Sequence, residues 1–171
     1  MYEDGIPAAM GAFIDRPGHR PLCIRCRVPK RILQQLQVRK QQIGQLEALA
    51  ALIGPLCFPE LFRDADCLHF IDNTSALAGC IKGSSGVEDS NRIYQILHLK
   101  IATLRCRYWC EYVESQANLV DEPSRDGKLC CPQAEKLGAK IIECHLPTDL
   151  DLWASRLSDL RCLARPRHIT A

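Results

Sequence analysis

Apolar and polar residues alternate at the start of Asp66–Leu77, a pattern that predicts a β-strand followed directly by a helix. Leu68, Phe70 and Asp72 share one face of this strand, and Asp72 ends it. Asn73 or the residue after it is suited to cap the helix. Because ligands of open α/β sheets bind at the carboxyl ends of strands, Asp72 is a candidate metal ligand or catalytic carboxylate. The alternative is that Asp72 only helps to cap the helix or turn.

The pattern on either side of this stretch predicts an α/β fold that opens with a hairpin. The predicted strands are Ala8–Asp15, Pro21–Val28, Cys106–Val113 and Ala139–Cys144. The predicted helices are Gln41–Ile53, Thr74–Ile81, Asp89–Leu104 and Leu150–Leu163, and Pro29–Lys40 is expected to be a short basic helix or a helical turn. Helix Asp89–Leu104 is amphipathic, with its core face at Ile93, Ile96, Leu97, Ile101 and Leu104.

Helix Gln41–Ile53 carries an acid beside its apolar face, and Gly54 and Pro55 are expected to end this helix. The core face is predicted at Ile43, Leu46, Leu49, Ala50 and Ile53. A carboxylate on that face is costly unless a cation pairs with it, so Glu47 is a candidate ligand. The alternative is that Glu47 lies at the edge of the stripe with its carboxylate in water.

Composition is that of an ordinary globular domain. The chain has 171 residues, 47% hydrophobic and 25% charged, with a formal net charge of +2. This charge does not by itself argue for nucleic acid. No apolar run approaches the roughly 20 residues that span a bilayer, and the acidic start does not match a signal peptide. We therefore expect no membrane association and an intracellular location, cytoplasmic or nuclear.

Eleven cysteines without a secretory signal predict free thiols in a reducing compartment. Cys23 and Cys26 form a C-x-x-C, but within a predicted strand. Residues three apart on a strand point to opposite faces, so one metal does not easily take both. A cysteine-held zinc module is therefore a disfavoured third hypothesis.

A third acid follows the predicted strand Cys106–Val113. Asp121 falls near the start of a predicted short helix within Ala117–Arg125, where an ordinary N-terminal acid is the alternative. Together with Glu47 and Asp72 it could supply the oxygen ligands that Mg²⁺ requires. Two such ions about 4 Å apart would activate water and stabilise the leaving oxygen in phosphodiester cleavage.

The order and spacing of several motifs resemble one family. These motifs are Arg39–Glu47, Phe70–Leu77, Ile81–Ser85, Trp109–Val113 and Ala117–Arg125. They resemble the ribonuclease H-like domain of retroelement reverse transcriptases, in the subgroup found in retrotransposon-derived reading frames. The resemblance covers about residues 1–125 and, more weakly, 137–147.

The resemblance implies a five-stranded mixed sheet flanked by helices, with its first three strands antiparallel. It implies hydrolysis of RNA in RNA–DNA hybrids at a site where four acids bind two Mg²⁺ ions. Carried over by position, Glu47 is similar to the helix glutamate, Asp72 to the acid that ends the fourth strand, and Asp121 to the last acid.

The chain departs from the family at its beginning. The first acid of the family ends the first strand, at a position that would fall before Met1; Asp4 and Asp15 are poor substitutes. We therefore expect a partial domain at residues 1–127, N-terminally incomplete with its first strand missing, and a partly helical extension at 128–171. Without this strand, either the hairpin pairs with the Asp72 strand or the domain is marginally stable.

Loss of one metal ligand is expected to lower the rate by several orders of magnitude, so the enzyme is expected to be inactive or nearly so. The alternative is a non-catalytic module that binds nucleic acid or packs against a reverse transcriptase polymerase domain. Phosphate contacts are expected from basic and polar side chains, namely Lys30, Arg31, Arg39, Lys40, Asn73 and Lys82.

Overall fold

A computed structural model describes residues 2–3, 6–7, 9–28, 30–38, 43–119 and 131–146. The strands are β1 (Tyr2–Glu3), β2 (Ile6–Pro7), β3 (Ala9–Ile14), β4 (Leu22–Arg27), β5 (Asp66–Ile71), β6 (Arg107–Tyr112) and β7 (Lys140–His145). The helices are α1 (Lys30–Leu33), α2 (Ile43–Ala50), α3 (Ile53–Cys57), α4 (Pro59–Phe62), α5 (Thr74–Lys82), α6 (Glu88–Leu104) and α7 (Pro132–Lys136), with a 3₁₀ turn at Ser115–Ala117. The chain is therefore mixed α/β, as expected.

The strands form small separate sheets. Strands β3, β4 and β7 form a three-stranded sheet in that order, with β3 antiparallel and β7 parallel to β4. Strands β5 and β6 form a parallel two-stranded sheet, and β1 and β2 a short antiparallel pair. The opening hairpin, the Asp72 strand and the strand after α6 are confirmed.

One of the two alternatives for the opening hairpin is not found in the part of the chain that the structure describes. The hairpin does not pair with β5: it belongs to the sheet β3-β4-β7, whereas β5 pairs with β6. The other long side of β3 and of β5 is an unpaired edge within the described residues. The two edges flank one groove, and the missing first strand stays a prediction.

Helix α6 forms the centre of the main core. The predicted inward side chains are all buried, namely Ile93, Ile96, Leu97, Ile101 and Leu104. They belong to one hydrophobic cluster with Leu46, Leu49 and Leu52 around α2. The 3.6-residue period of a long amphipathic helix therefore identified the core face correctly.

The predicted helix Gln41–Ile53 ends earlier than expected. Helix α2 ends at Ala50, and the Leu52 N–H then donates to the Leu49 carbonyl at 3.0 Å, a tighter i→i+3 turn. Ile43 is 52% exposed and does not join the core. It is the first residue of α2, on the side away from the buried face at Gln45, Leu46, Ala48 and Leu49.

Gly54 and Pro55 do not end a helix, because both lie inside α3. Proline is tolerated there since the first-turn N–H groups of a helix have no intrahelical partner. Gly54 leaves room for the ring of Phe62, to which a Cβ would come within 2.4 Å. Packing against α4 therefore explains the glycine better than a helix stop does.

Among the described helices, none has the length and apolar character needed to cross a lipid bilayer.

Candidate functional site

A groove runs between the edges of β3 and β5, near the predicted site. Its first part is a cavity of about 240 Å³. It is lined by Gly11–Phe13 of β3, Glu47 and Ala50 of α2, Ala51, Leu68–Asp72, Val113 and Ala117–Leu119. We call this part the acid cavity.

A second cavity of about 410 Å³ continues the groove along the same strand edges. The two cavities are adjacent, because they share Ala12, Phe13, Ala50, Ala51, Leu68 and His69. At the far end, an Arg16 guanidinium nitrogen donates to the backbone carbonyl of Leu61 at 2.9 Å. The groove therefore follows the length of both strands.

Glu47 and Asp72 both line the acid cavity, and both are half-buried. Glu47 projects from α2, where Leu46 and Ala48 on either side of it are buried. Burial, with the nearby Cys80 and Glu47, raises the pKa of Tyr94 to about 12. The negative charge of Glu47 therefore disfavours ionisation of Tyr94 in the interior, although Glu47 also lines the cavity.

Asn73 is the residue that caps α5. Its side-chain oxygen accepts a hydrogen bond of 2.9 Å from the backbone N–H of Ala76. The strand β5 ends at Ile71, so Asp72 lies between the strand and the capping residue. The capping role that was the alternative for Asp72 is therefore filled by its neighbour.

Asp121 lies outside the described residues, so its placement at the site stays a prediction. Asn118 and Leu119, which precede it in the chain, line the acid cavity. Glu47 and Asp72 are the acids that line this cavity within the described part of the chain.

The donor set of the acid cavity fits Mg²⁺. Carboxylate oxygens are the ligands that this hard ion prefers, and it keeps several waters when one or two carboxylates hold it. Glu47 and Asp72 supply two carboxylates, and Asn118 lines the same cavity. A site for two ions requires more ligands than these.

His69 and Tyr108 form part of the wall of the groove, and sequence reasoning did not select them. The rings are 5.6 Å apart at 66°, edge to face, and His69 Nδ1 is hydrogen-bonded to the Tyr108 hydroxyl. Burial lowers the pKa of His69 to about 4, so its imidazole is neutral near pH 7. The sequence does not indicate the contact between His69 and Tyr108, because that contact depends on the parallel register of β5 and β6.

The predicted nucleic-acid contacts that the structure describes do not line the acid cavity. Lys30 and Arg31 are exposed on α1, and Lys82 is exposed at the end of α5. Asn73 is half-buried and engaged as a cap. The remaining two, Arg39 and Lys40, lie outside the described residues.

Cys23 and Cys26 lie on opposite faces of β4, as strand geometry predicts. Cys23 packs in a small cluster with Cys131, whereas Cys26 belongs to the main core. All the described cysteines are free thiols. The C-x-x-C is therefore not one metal site.

The comparisons with known proteins assign no family. No family model matches the chain, and no match was found among curated proteins or solved structures. The groove and the residues in it are therefore the features that bear on function.

Proposed function

We propose that this chain is a retrotransposon-derived ribonuclease H-like domain whose groove receives the backbone of an RNA–DNA hybrid and holds Mg²⁺. The proposal rests on one observation above all. Glu47 and Asp72, two of the acids of the resembling motifs, line the same cavity although they belong to different elements.

Glu47 and Asp72 would hold the ion, with Asp121 as a third ligand by resemblance. When bound, Mg²⁺ supplies charge stabilisation at the scissile phosphate and a more acidic water. The half-buried position of both carboxylates favours this role, because surrounding protein strengthens their attraction for a cation.

Cleavage is expected to be weak. The described residues bring two carboxylates to the acid cavity, whereas two-ion catalysis requires ligands that clamp both the attacking and the leaving oxygen. We expect a rate lowered by several orders of magnitude, since each ion contributes several kcal/mol of transition-state stabilisation.

The experiment is hydrolysis of a labelled RNA–DNA hybrid by the 171-residue chain with Mg²⁺. We expect slow cleavage of the RNA strand that Asp72→Asn abolishes and that Glu135→Gln, a change of an exposed acid on α7, leaves unchanged. Equal cleavage by the wild type and by Asp72→Asn would show that the activity does not belong to this site.

A second candidate function is a non-catalytic module that packs against a polymerase domain. One observation favours it: Leu68, Phe70 and Trp109 are 54%, 54% and 67% exposed on one face of the β5–β6 sheet. Leu68 and Trp109 are register partners, so their side chains are neighbours. Clustered exposed apolar residues are typical of interfaces.

The two functions make different predictions for the same variants. If packing is the function, Trp109→Ser weakens association with a reverse transcriptase polymerase domain, measured by sedimentation, and Asp72→Asn does not. If the nuclease proposal holds, Asp72→Asn abolishes cleavage whereas Trp109→Ser leaves the metal site in place.

A further inference from the structure

Three cysteines from distant parts of the chain meet on the side of β4 that faces the main core. Cys26 lies on β4, Cys57 ends α3, and Cys144 lies on β7. Their three sulfur atoms lie within 4.8 Å of one another. We call these residues the thiol triad.

The fold places the thiol triad through strand register. Cys26 and Cys144 are direct partners in the parallel pairing of β4 with β7. The end of α3 brings Cys57 to the same pair, with its Sγ atom 3.6 Å from the backbone carbonyl oxygen of His145. Two strands and one helix therefore converge on one point.

Cysteine binds a metal ion as its thiolate. Each of the three sulfurs can therefore serve as a ligand to one ion once its proton is displaced.

The thiol triad is also accessible. Cys26 is fully buried, but Cys57 and Cys144 are half-buried, so an ion could approach from the side of α3 and β7. None of the three lines the acid cavity or the cavity that continues it. The cluster is therefore separate from the proposed Mg²⁺ site.

We propose that Cys26, Cys57 and Cys144 form a binding site for one thiophilic d¹⁰ cation, Zn²⁺ or Cu⁺. Three sulfurs without an oxygen ligand suit a soft ion and disfavour Mg²⁺ or Ca²⁺. Zinc–sulfur bonds of about 2.3 Å place tetrahedral sulfurs about 3.8 Å apart, so at most a small contraction of the triad is needed. Binding releases the thiol protons to solvent and changes no oxidation state.

Titration of metal-free protein, kept under reductant, with Zn²⁺ or with Cu⁺ tests the proposal. We expect one tightly bound ion per chain, and at least a tenfold loss of affinity in Cys57→Ser and in Cys144→Ser. Cys67→Ser is the control, because Cys67 is also half-buried but lies outside the triad. Competition between the two ions identifies the preferred one. Equal affinity of the wild type and both triad variants would overturn the proposal.

Cobalt provides a readout that needs no variant. Co²⁺ added to the wild type is expected to give thiolate-to-metal charge-transfer absorption with the intensity of three sulfur ligands per ion. Absorption for one sulfur ligand, or none, would contradict the assignment even if a serine variant failed to fold. The test is independent of the nuclease proposal, since it involves neither Glu47 nor Asp72.

Discussion

Glu47 on α2 and Asp72 directly after β5 line one cavity, although a turn, two short helices and a whole strand separate them in the chain. The groove that contains them runs between two strand edges that are unpaired in the described part of the protein. Acids at a strand end, a concave surface and solvent access thus occur together. This combination is the basis of the nuclease proposal.

Replacement of Asp89 is expected to be strongly destabilising. This residue is 1% exposed, and its carboxylate accepts hydrogen bonds from the Gln37 N–H at 3.0 Å and from the side-chain amide of Gln45. Asp89→Ala leaves these donors unsatisfied, which costs about 3 kcal/mol of unfolding free energy. Urea denaturation of the wild type and of Asp89→Ala measures this loss of unfolding free energy.

The adjacent acid is a matched control for that experiment. Glu88 pairs with Arg92 at 2.8 Å on the exposed side of α6. Exposed pairs of this spacing contribute about 0.5 kcal/mol or less, so Glu88→Gln is expected to be nearly neutral. Equal losses in the two variants would contradict the role given to Asp89.

Gly79→Ala is expected to destabilise the packing of α5 on α6. A Cβ at this position would come within 2.1 Å of the ring of Tyr94, which is itself buried. Overpacking of this kind costs about 1–3 kcal/mol, measurable as a lower urea midpoint. In the control, Gly44→Ala on the exposed side of α2, a Cβ meets nothing within 4 Å, so we expect a gain of about 0.5–1 kcal/mol. A neutral Gly79→Ala would show that α5 and α6 are not closely packed.

The free energy of unfolding is expected to fall at acidic pH because of His69. Its pKa is about 4 in the folded protein and about 6.5 in the unfolded chain, so below about pH 6.5 the unfolded chain takes up a proton that the folded protein excludes. Stability contributed by the neutral imidazole is complete above pH 6.5 and is lost as the pH falls towards 4. The expected loss of unfolding free energy is about 2 kcal/mol between pH 7 and 4.5.

Urea denaturation across this pH range tests the role of His69. His69→Phe keeps a ring beside Tyr108 but does not titrate, so its stability is expected to fall less steeply than that of the wild type. The exposed His19 provides the control, and His19→Gln is expected to keep the wild-type slope. Parallel slopes for the wild type and His69→Phe would contradict the prediction.

Binding of an RNA–DNA hybrid is expected to weaken with salt through the basic helix α1. If Lys30 and Arg31 contact phosphates, the double change Lys30→Gln and Arg31→Gln lowers the slope of log affinity against log salt by about 2. Lys136→Gln, on the exposed surface of α7, is expected to leave the slope unchanged. Fluorescence anisotropy at several salt concentrations measures this slope. An unchanged slope in the double variant would show that α1 does not contact the nucleic acid.

Local pattern predicted the elements well. Alternation identified β5, and helical spacing identified all the predicted inward residues of α6, because both signals are contained in a few neighbouring residues. The same spacing failed at Gln41–Ile53, where a tight turn after Ala50 divides the segment and leaves Ile43 exposed. Tertiary packing, not periodicity, decides such a boundary.

Long-range placement was less predictable. Nothing in the sequence indicates that β7 pairs in parallel with β4, and this pairing is what joins Cys144 to Cys26. The thiol triad therefore escaped a search by spacing, which considered Cys23 with Cys26. Glu47 and Asp72 were found from their positions at a helix edge and a strand end, and the structure brings them to one cavity.

Metal binding at the acid cavity is the most direct test of the nuclease proposal. Mn²⁺ favours the same octahedral oxygen sites as Mg²⁺ and serves as its probe in calorimetric titration. We predict that the wild type binds Mn²⁺, that Glu47→Gln and Asp72→Asn each lower the affinity at least tenfold, and that Glu135→Gln does not. Wild-type affinity in both cavity variants would contradict the proposal that these two carboxylates form a cation site.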